Sequence, residues 1–306
     1  MDRSRLSMDR SGRSTERSGR SSGLVRSGWI LGLASPVRGV LLDFNGSLSD
    51  DESLLCDLFG QIFSESLGIV LDAEEYFSSL AGSSDVDIVR HVLRSCGRGE
   101  DEQLVAEILD EKVRRYCREI SERPRIHPDA VAFVRRVAEL LPVGVVTGAV
   151  HAEVDHALEV AGLTDAIRVV VAGEDVERGK PDPQGYELGL YELARAAYAL
   201  ARAPHELARA PHELALLDAA SVVVFEDSVA GLRAAKAAGM QCIGVTGTTD
   251  PTLLEAEAAG VVDGLTVEVA EALLTSLVTG DSATGDSAAD AMTGDTAMGA
   301  WVADGP

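Results

Sequence analysis

The chain has 306 residues, 46% of them hydrophobic but only 4% aromatic. That supports one large or two modest domains with cores built mainly from Ala, Val and Leu. A formal charge of −23 and a pI near 4.5 exclude a nucleic-acid backbone as partner, which needs clustered Lys and Arg. No apolar run approaches the ~18 residues of a membrane span.

Residues 1–37 are rich in Arg, Ser and Gly and carry near-repeats such as Met1-Asp2-Arg3-Ser4 and Met8-Asp9-Arg10-Ser11. They lack apolar periodicity and are expected to be a disordered basic tail. The apolar stretch from Trp29 to Ala34 is too short for a signal peptide behind so long a basic segment. Residues 279–306 repeat Thr-Gly-Asp-Ser-Ala and Thr-Gly-Asp-Thr-Ala with no Lys or Arg and are expected to be a disordered acidic tail.

Between the tails, short β-branched or apolar runs at residues 39–44, 143–147, 168–171, 221–225 and 241–245 alternate with helical patterns. Such alternation predicts βαβ units and a doubly wound parallel α/β sheet. Uninterrupted apolar runs such as Val222-Val223-Val224-Phe225 suit strands buried on both faces. One interval departs from the pattern. Residues 50–124 hold no strand-like run, only helical periodicity over 52–67, 73–80, 85–95 and 102–120, and Pro124 and Pro128 punctuate its far end. This predicts an all-helical second domain inserted after the first strand, with the α/β core over 38–49 and 125–278. Within the core, the heptad LARAPHE occurs twice over 200–213 after a degenerate copy at 193–199. With Pro204 and Pro211 it cannot form one straight helix, so 193–219 reads as an insertion. Duplication alone accounts for the spacing of His205 and His212.

Cys56, Cys96, Cys117 and Cys242 form no C-x-x-C pair and no zinc-like spacing with His. They read as free thiols of a reducing compartment. The net charge favours a cytoplasmic protein kept dispersed by self-repulsion, and a monomer with no membrane partner is expected.

Four short elements lie at or near the C-terminal ends of predicted strands, where open α/β sheets place their active sites. The first is Asp43-Phe44-Asn45-Gly46-Ser47: an Asp there can act as a carboxylate nucleophile, and Gly46 allows a sharp turn. The second is Thr147-Gly148, a hydroxyl and a backbone N–H able to hold phosphate oxygens. The third is Gly179-Lys180-Pro181-Asp182, in one of only three lysines in the chain, Lys112, Lys180 and Lys236. The fourth is Glu226-Asp227-Ser228 followed by the small residues Gly231, Ala234, Ala235 and Gly239. Two acids after a buried strand are costly unless they meet a cation, and all-oxygen ligation suits Mg²⁺. Taken singly, each also reads as an ordinary turn, loop lysine or helix start.

Together and in this order the four elements resemble the haloacid dehalogenase-like superfamily, and within it the β-phosphoglucomutase-like phosphatases with a helical cap between the first two motifs. The resemblance covers about residues 38–277. It implies a Mg²⁺-dependent phosphatase acting on a small phosphorylated metabolite. Asp43 would be the nucleophile that forms an aspartyl-phosphate. Thr147 and Lys180 would assist catalysis, and Asn45, Gly46, Thr147, Gly148 and Lys180 would bind the phosphoryl group. Asp43, the Asn45 carbonyl, Glu226 and Asp227 would form the metal site. Gly82 to Asp85 fall where the family's cap presents a substrate-contacting loop.

The sequence departs from the family at Asn45, where an acid–base Asp is usual; an amide cannot transfer that proton. Ser47 replaces the usual Thr and keeps the hydroxyl. The open alternatives are a substrate with a good leaving group, a proton supplied by Asp50, Asp51 or a cap residue, or a phosphate-ligand-binding protein with weak turnover. A phosphonatase or dehalogenase also remains possible. A sugar-phosphate mutase is disfavoured, since both of its half-reactions need acid and base.

Overall fold

The computed structural model describes residues 33–99, 101–201 and 217–280. The expectations for residues 1–32, for the acidic tail beyond Gly280 and for Pro204, His205, Pro211 and His212 lie outside the described residues.

Six parallel strands form one sheet in the order β3-β2-β1-β4-β5-β6: β1 Gly39–Leu42, β2 Val143–Val146, β3 Ile167–Val171, β4 Val222–Glu226, β5 Gln241–Val245 and β6 Gly260–Val262. Register is set by pairs such as Leu41 with Gly144 and Leu42 with Phe225. Every residue of β1, β2 and β4 is buried, as a strand covered on both faces requires. Side chains alternate between two cores. Val40, Leu42, Val145, Val223 and Phe225 face one; Leu41, Val146, Val222 and Val224 face the other. The chain reverses direction across the sheet beside β1, so the crevice at the C-terminal ends of β1 and β4 is open to ligands.

Helices cover both faces. On one side lie α5 Pro128–Ala138 and α10 Val267–Gly280; on the other lie α7 Gln184–Ala201, α8 Val229–Ala237 and α9 Pro251–Glu257. Helix α6 His151–Ala161 follows β2. Between β1 and β2 stands the expected helical cap: α1 Glu52–Leu67, α2 Ala73–Glu75 running into a π-helical turn Tyr76–Leu80, α3 Asp85–Ser95 and α4 Glu102–Glu122. In α1 the buried Leu55, Phe59, Ile62 and Phe63 recur at helical spacing. Gly68, left-handed at φ 69°, ends the helix: its N–H donates to the Ser64 carbonyl and the Ile69 N–H to the Phe63 carbonyl. Ser84 caps α3 by accepting from the Asp87 N–H.

Three boundaries move. The core begins before residue 38: Val37 is buried and the Ala34 N–H donates to Gln241 Oε1 at 2.6 Å. The insertion does not start at Leu193, because α7 continues through that residue and buries Leu193 and Ala197 in the cluster that holds Leu41, Val222 and Val224. The degenerate first heptad is core helix, and Leu217 is again buried in the same cluster. Strand β6 was not expected, since a three-residue run carries too little pattern. The four cysteines are free, and no helix among the described residues is long and apolar enough to cross a membrane.

Candidate active site

Asp43 directly follows β1, Thr147 directly follows β2 and Glu226 ends β4, so parallel pairing alone brings three of the four predicted elements to one edge. The fourth, Lys180, arrives on the connection from β3 to α7, with a cis peptide to Pro181. Its ammonium donates to Asp43 Oδ1 and to Glu226 Oε2, the latter at 2.7 Å. Asp43, Glu226 and Asp227 each offer an oxygen within 4.8 Å of the others, and all three are buried.

Glu226 is held from every side. Its Oε2 also accepts from the Tyr186 hydroxyl at 2.7 Å, and its Oε1 accepts from the Ser228 N–H and hydroxyl at 3.1 and 2.8 Å. The Tyr186 ring lies under the Lys180 ammonium, 5.5 Å from centroid to Nζ. Space for the Glu226 carboxylate exists because residue 231 is glycine: a Cβ there would lie 2.0 Å from the carboxylate carbon.

Charge is unbalanced, with three carboxylates facing one ammonium. Burial, reinforced by Glu226, pushes Asp43 up to about 7 against the pull of Lys180. Burial and repulsion from Asp43 and Glu226 raise Asp227 well above the usual carboxylate range. Glu226 is displaced downward: Lys180 and the donors from Tyr186 and Ser228 outweigh its desolvation. Such a surplus of buried negative charge suits a divalent cation.

The loop after β1 is shaped around this cluster. Gly46 has φ 81°, and a Cβ there would lie 1.9 Å from Asp227 Oδ2. Gly46→Ala therefore combines backbone strain with a clash. It is expected to lower stability by about 1–3 kcal/mol and to reduce turnover by displacing Asp227. Thermal unfolding and initial-rate measurements check this; wild-type values for both would show the loop tolerates the methyl. Ser47 donates to Asp227 Oδ1 at 3.4 Å. Thr147 Oγ1 accepts from the Ala149 N–H at 3.1 Å and reaches Asn45 Oδ1 at 3.4 Å. The Asn45 amide donates to both oxygens of Asp51, each at 3.2 Å.

The cap loop closes over the site. The Asp85 N–H donates to the Gly148 carbonyl at 3.3 Å, and a Cβ on Gly148 would lie 2.9 Å from Ser84 Cα. A cleft runs between cap and core. It is lined by Asp43, Asn45, Thr147, Gly148, Glu226 and Asp227 on the core side, and by Glu52, Leu55, Tyr76, Gly82, Ser83, Asp85 and Ile88 on the other. Asn45, Thr147 and Gly148 thus share a cleft with the acids, and the expected cap residues Gly82, Ser83 and Asp85 line it.

Several site groups were missed by sequence reasoning. Tyr186 and Ser228 hold Glu226, and Glu52 lines the cleft. Ser228 was quoted as part of its motif without a role. Tyr186 has no local signal. Glu52 did have one: it lies three and seven residues before Leu55 and Phe59, on the buried face of α1.

A family model described as haloacid dehalogenase-like hydrolase matches residues 40–245. Validoxylamine A 7'-phosphate phosphatase of Streptomyces hygroscopicus subsp. limoneus is 34% identical over 224 residues, covering 70% of this chain and 88% of that protein. Phosphoglycolate phosphatase of Yersinia pestis is 26% identical over 211 residues, covering 69% and 81%. Among solved structures, β-phosphoglucomutase from Clostridium difficile shares the fold, with a TM-score of 0.60 at 18% identity over 79% of this chain and 99% of that one.

Proposed function

Because this chain belongs to the haloacid dehalogenase-like hydrolases, we propose that it is a Mg²⁺-dependent phosphatase that passes the phosphoryl group of a small phosphorylated metabolite to Asp43 and then to water. The observation that carries this reading is the meeting of Asp43, Thr147, Lys180 and Asp227, from four distant segments, at one sheet edge. Phosphoryl transfer asks a protein mainly for positioning and charge neutralisation, and these residues provide both. A carboxylate oxygen of Asp43 attacks phosphorus as the bond to the leaving oxygen breaks. Lys180 balances the charge on nucleophile and phosphoryl oxygens. Thr147 and the backbone N–H groups of Asn45 and Gly148 are the donors available to those oxygens; the expected Gly46 N–H is not, because it donates to the Ser49 carbonyl at 2.8 Å.

Asp43, Asp227 and the Asn45 carbonyl are the groups that would hold Mg²⁺, which supplies further neutralisation of the transferring group. Glu226 stands beside them. Its two oxygens already accept from four protein donors, which fits it to hold Lys180 and a metal-bound water rather than to ligate directly.

The leaving-group side of the cleft offers Glu52, Tyr76, Ser83 and Asp85 with Leu55 and Ile88. This surface suits hydroxyl or amine donors and opposes a second anion. Phosphate release from a panel of sugar and polyol monophosphates, bisphosphates, phosphoglycolate, nucleotides and acetyl phosphate tests the reading. A polyol or sugar monophosphate is expected to exceed a bisphosphate in kcat/KM by about 10-fold or more, the effect of one unfavourable charge contact. EDTA is expected to abolish the activity and Mg²⁺ to restore it. If no member of the panel turns over with Mg²⁺ while phosphate still binds, the chain is a phosphate-ligand-binding protein instead.

A further inference from the structure

We infer that Glu52 is the proton donor and acceptor of this site, in the place left by the amide at Asn45; the inference rests on the phosphatase reading above.

Elimination among the acids gives the first argument. Five acids line the cleft: Asp43, Glu52, Asp85, Glu226 and Asp227. Asp43 is the nucleophile, Asp227 belongs to the charge cluster, Glu226 is filled by four donors, and Asp85 is ion-paired to Lys112 at 2.7 Å. Glu52 is the remaining one, and no cation is paired with it among the described residues. The acids nearest to it in sequence do not serve. Asp50 is exposed and does not line the cleft. Asp51 is fully buried outside the cleft, and its oxygens accept from the Asn45 amide, the Ser49 hydroxyl at 2.8 Å and the Tyr116 hydroxyl at 2.6 Å. Through that contact Asp51 fixes the Asn45 side chain, so the amide is committed and carries no transferable proton.

The surroundings of Glu52 supply the second argument. It is 8% exposed at the start of α1, and the Tyr76 hydroxyl steadies its Oε2 at 3.1 Å. The groups facing it are Asp51 and Cys56 on its own segment, Tyr76 from the π-helical turn, Asp85 from α3, and Asp43 and Asp227 from the core. All but the neutral Tyr76 and Cys56 are acids. Burial first, then repulsion from Asp51, raises the carboxyl to about 7. A carboxyl that holds its proton near neutrality is suited to both donate and accept.

The proton balance closes over two steps. In the first, Asp43 forms its bond to phosphorus, the bond from phosphorus to the leaving oxygen breaks, and that oxygen takes the Glu52 proton to leave as an alcohol. In the second, the Glu52 carboxylate takes a proton from water as the water oxygen attacks the aspartyl-phosphate. The bond from phosphorus to Asp43 breaks, inorganic phosphate departs, and Glu52 is again protonated.

The test uses the full chain with Mg²⁺ and two probes: the best alkyl monophosphate of the panel, and p-nitrophenyl phosphate, whose leaving oxygen needs no proton. Glu52→Gln keeps the shape and the contact to Tyr76, so its melting temperature should stay close to wild type. Expected is a loss of about 10²–10⁴-fold in kcat/KM on the alkyl ester, the usual worth of a general acid. With p-nitrophenyl phosphate the first-turnover burst should survive while the steady-state rate falls. The falling limb above about pH 7 in the alkyl-ester profile should vanish, and adding Asn45→Asp to the variant should restore turnover. Equal losses on both probes without rescue by Asn45→Asp would reduce Glu52 to a structural part, and full retention of alkyl-ester activity would overturn the inference outright. If the wild type hydrolyses no phosphomonoester at all, the phosphatase reading itself fails, an outcome distinct from either.

Discussion

Asp43→Asn is expected to abolish phosphatase turnover, by about 10⁴-fold or more, the scale on which loss of a covalent nucleophile is felt. The same variant is expected to fold at least as well as the wild type. Asp43 is buried with Glu226 and Asp227 against the single ammonium of Lys180. Repulsion and desolvation together push its carboxyl up to about 7. A neutral amide of the same shape removes one uncompensated charge while Lys180 keeps Glu226 as its partner at 2.7 Å. The sign follows from linkage. A carboxyl whose folded value lies above its ordinary 3.8 binds more protons folded than unfolded, so it subtracts stability as pH rises from about 4 towards 7. Above pH 7 the asparagine variant should therefore match or exceed the wild-type melting temperature in metal-free buffer. A gain of about 1 kcal/mol corresponds to roughly 2–4 °C at this chain size. Stability held at a site's expense is common where function demands strain. Acid-quenched wild-type enzyme should carry a phosphoryl adduct on the peptide containing Asp43. Residual turnover within tenfold of wild type, with the adduct elsewhere, would remove Asp43 from the chemistry.

Much of this site could be read from the chain because its elements sit on strand ends, and strands announce themselves locally. The run Val222-Val223-Val224-Phe225 is apolar throughout and lies in a buried central strand, so the acids after it had to emerge at the edge. The same logic placed Asp43 and Thr147. Strand β6 failed this logic because three residues, Gly260–Val262, give no period to measure. The heptad boundary failed for a different reason. Repetition suggested an added segment, yet Leu193 and Ala197 also fall on the buried face of α7, and tertiary burial overrides resemblance between repeats. What could not be read were partnerships across long separations. Lys180 meets Asp43 across 137 residues and Glu226 across 46. Lys112 lay in plain view on the apolar stripe of α4, in line with Val105, Ile108, Tyr116 and Ile120. Its position on that stripe signals burial, but only the fold shows which acids neutralise it.

Lys112 carries the largest stability effect expected outside the active site. Its side chain is fully buried, and its ammonium donates to Asp85 at 2.7 Å and to Glu153 at 2.5 Å. It also lies 5.5 and 5.4 Å from the ring centroids of Phe59 and Tyr116. Asp85 opens α3 and Lys112 sits in α4, both in the cap, whereas Glu153 belongs to α6 of the core. One cation therefore ties cap to core beside the cleft. Lys112→Met keeps the length and the ring contacts but leaves two buried carboxylates without their cation. Breaking a buried pair in this way costs about 3–5 kcal/mol. Combining Lys112→Met with Asp85→Asn and Glu153→Gln should recover most of that loss, because the penalty lies in the orphaned charges. Glu153 carries its own pH signature. Burial, reinforced by Asp85 and opposed by Lys112, raises it from an ordinary 4.5 to about 8, and its Oε1 is buried with no hydrogen-bond partner among the described residues. The folded state then binds the extra proton between those values, so this group lowers stability as pH rises from about 4.5 to 8. Glu153→Gln alone should flatten the wild-type decline over that window, even as Lys112→Met deepens it. Urea unfolding of the wild type and the three variants at pH 5, 6.5 and 8 separates these effects. A Lys112→Met protein within about 1 kcal/mol of wild type at pH 8, well short of the cost of a broken buried pair, would mean that the two carboxylates find water when the lysine is gone, and that the cap is not held shut by this charge.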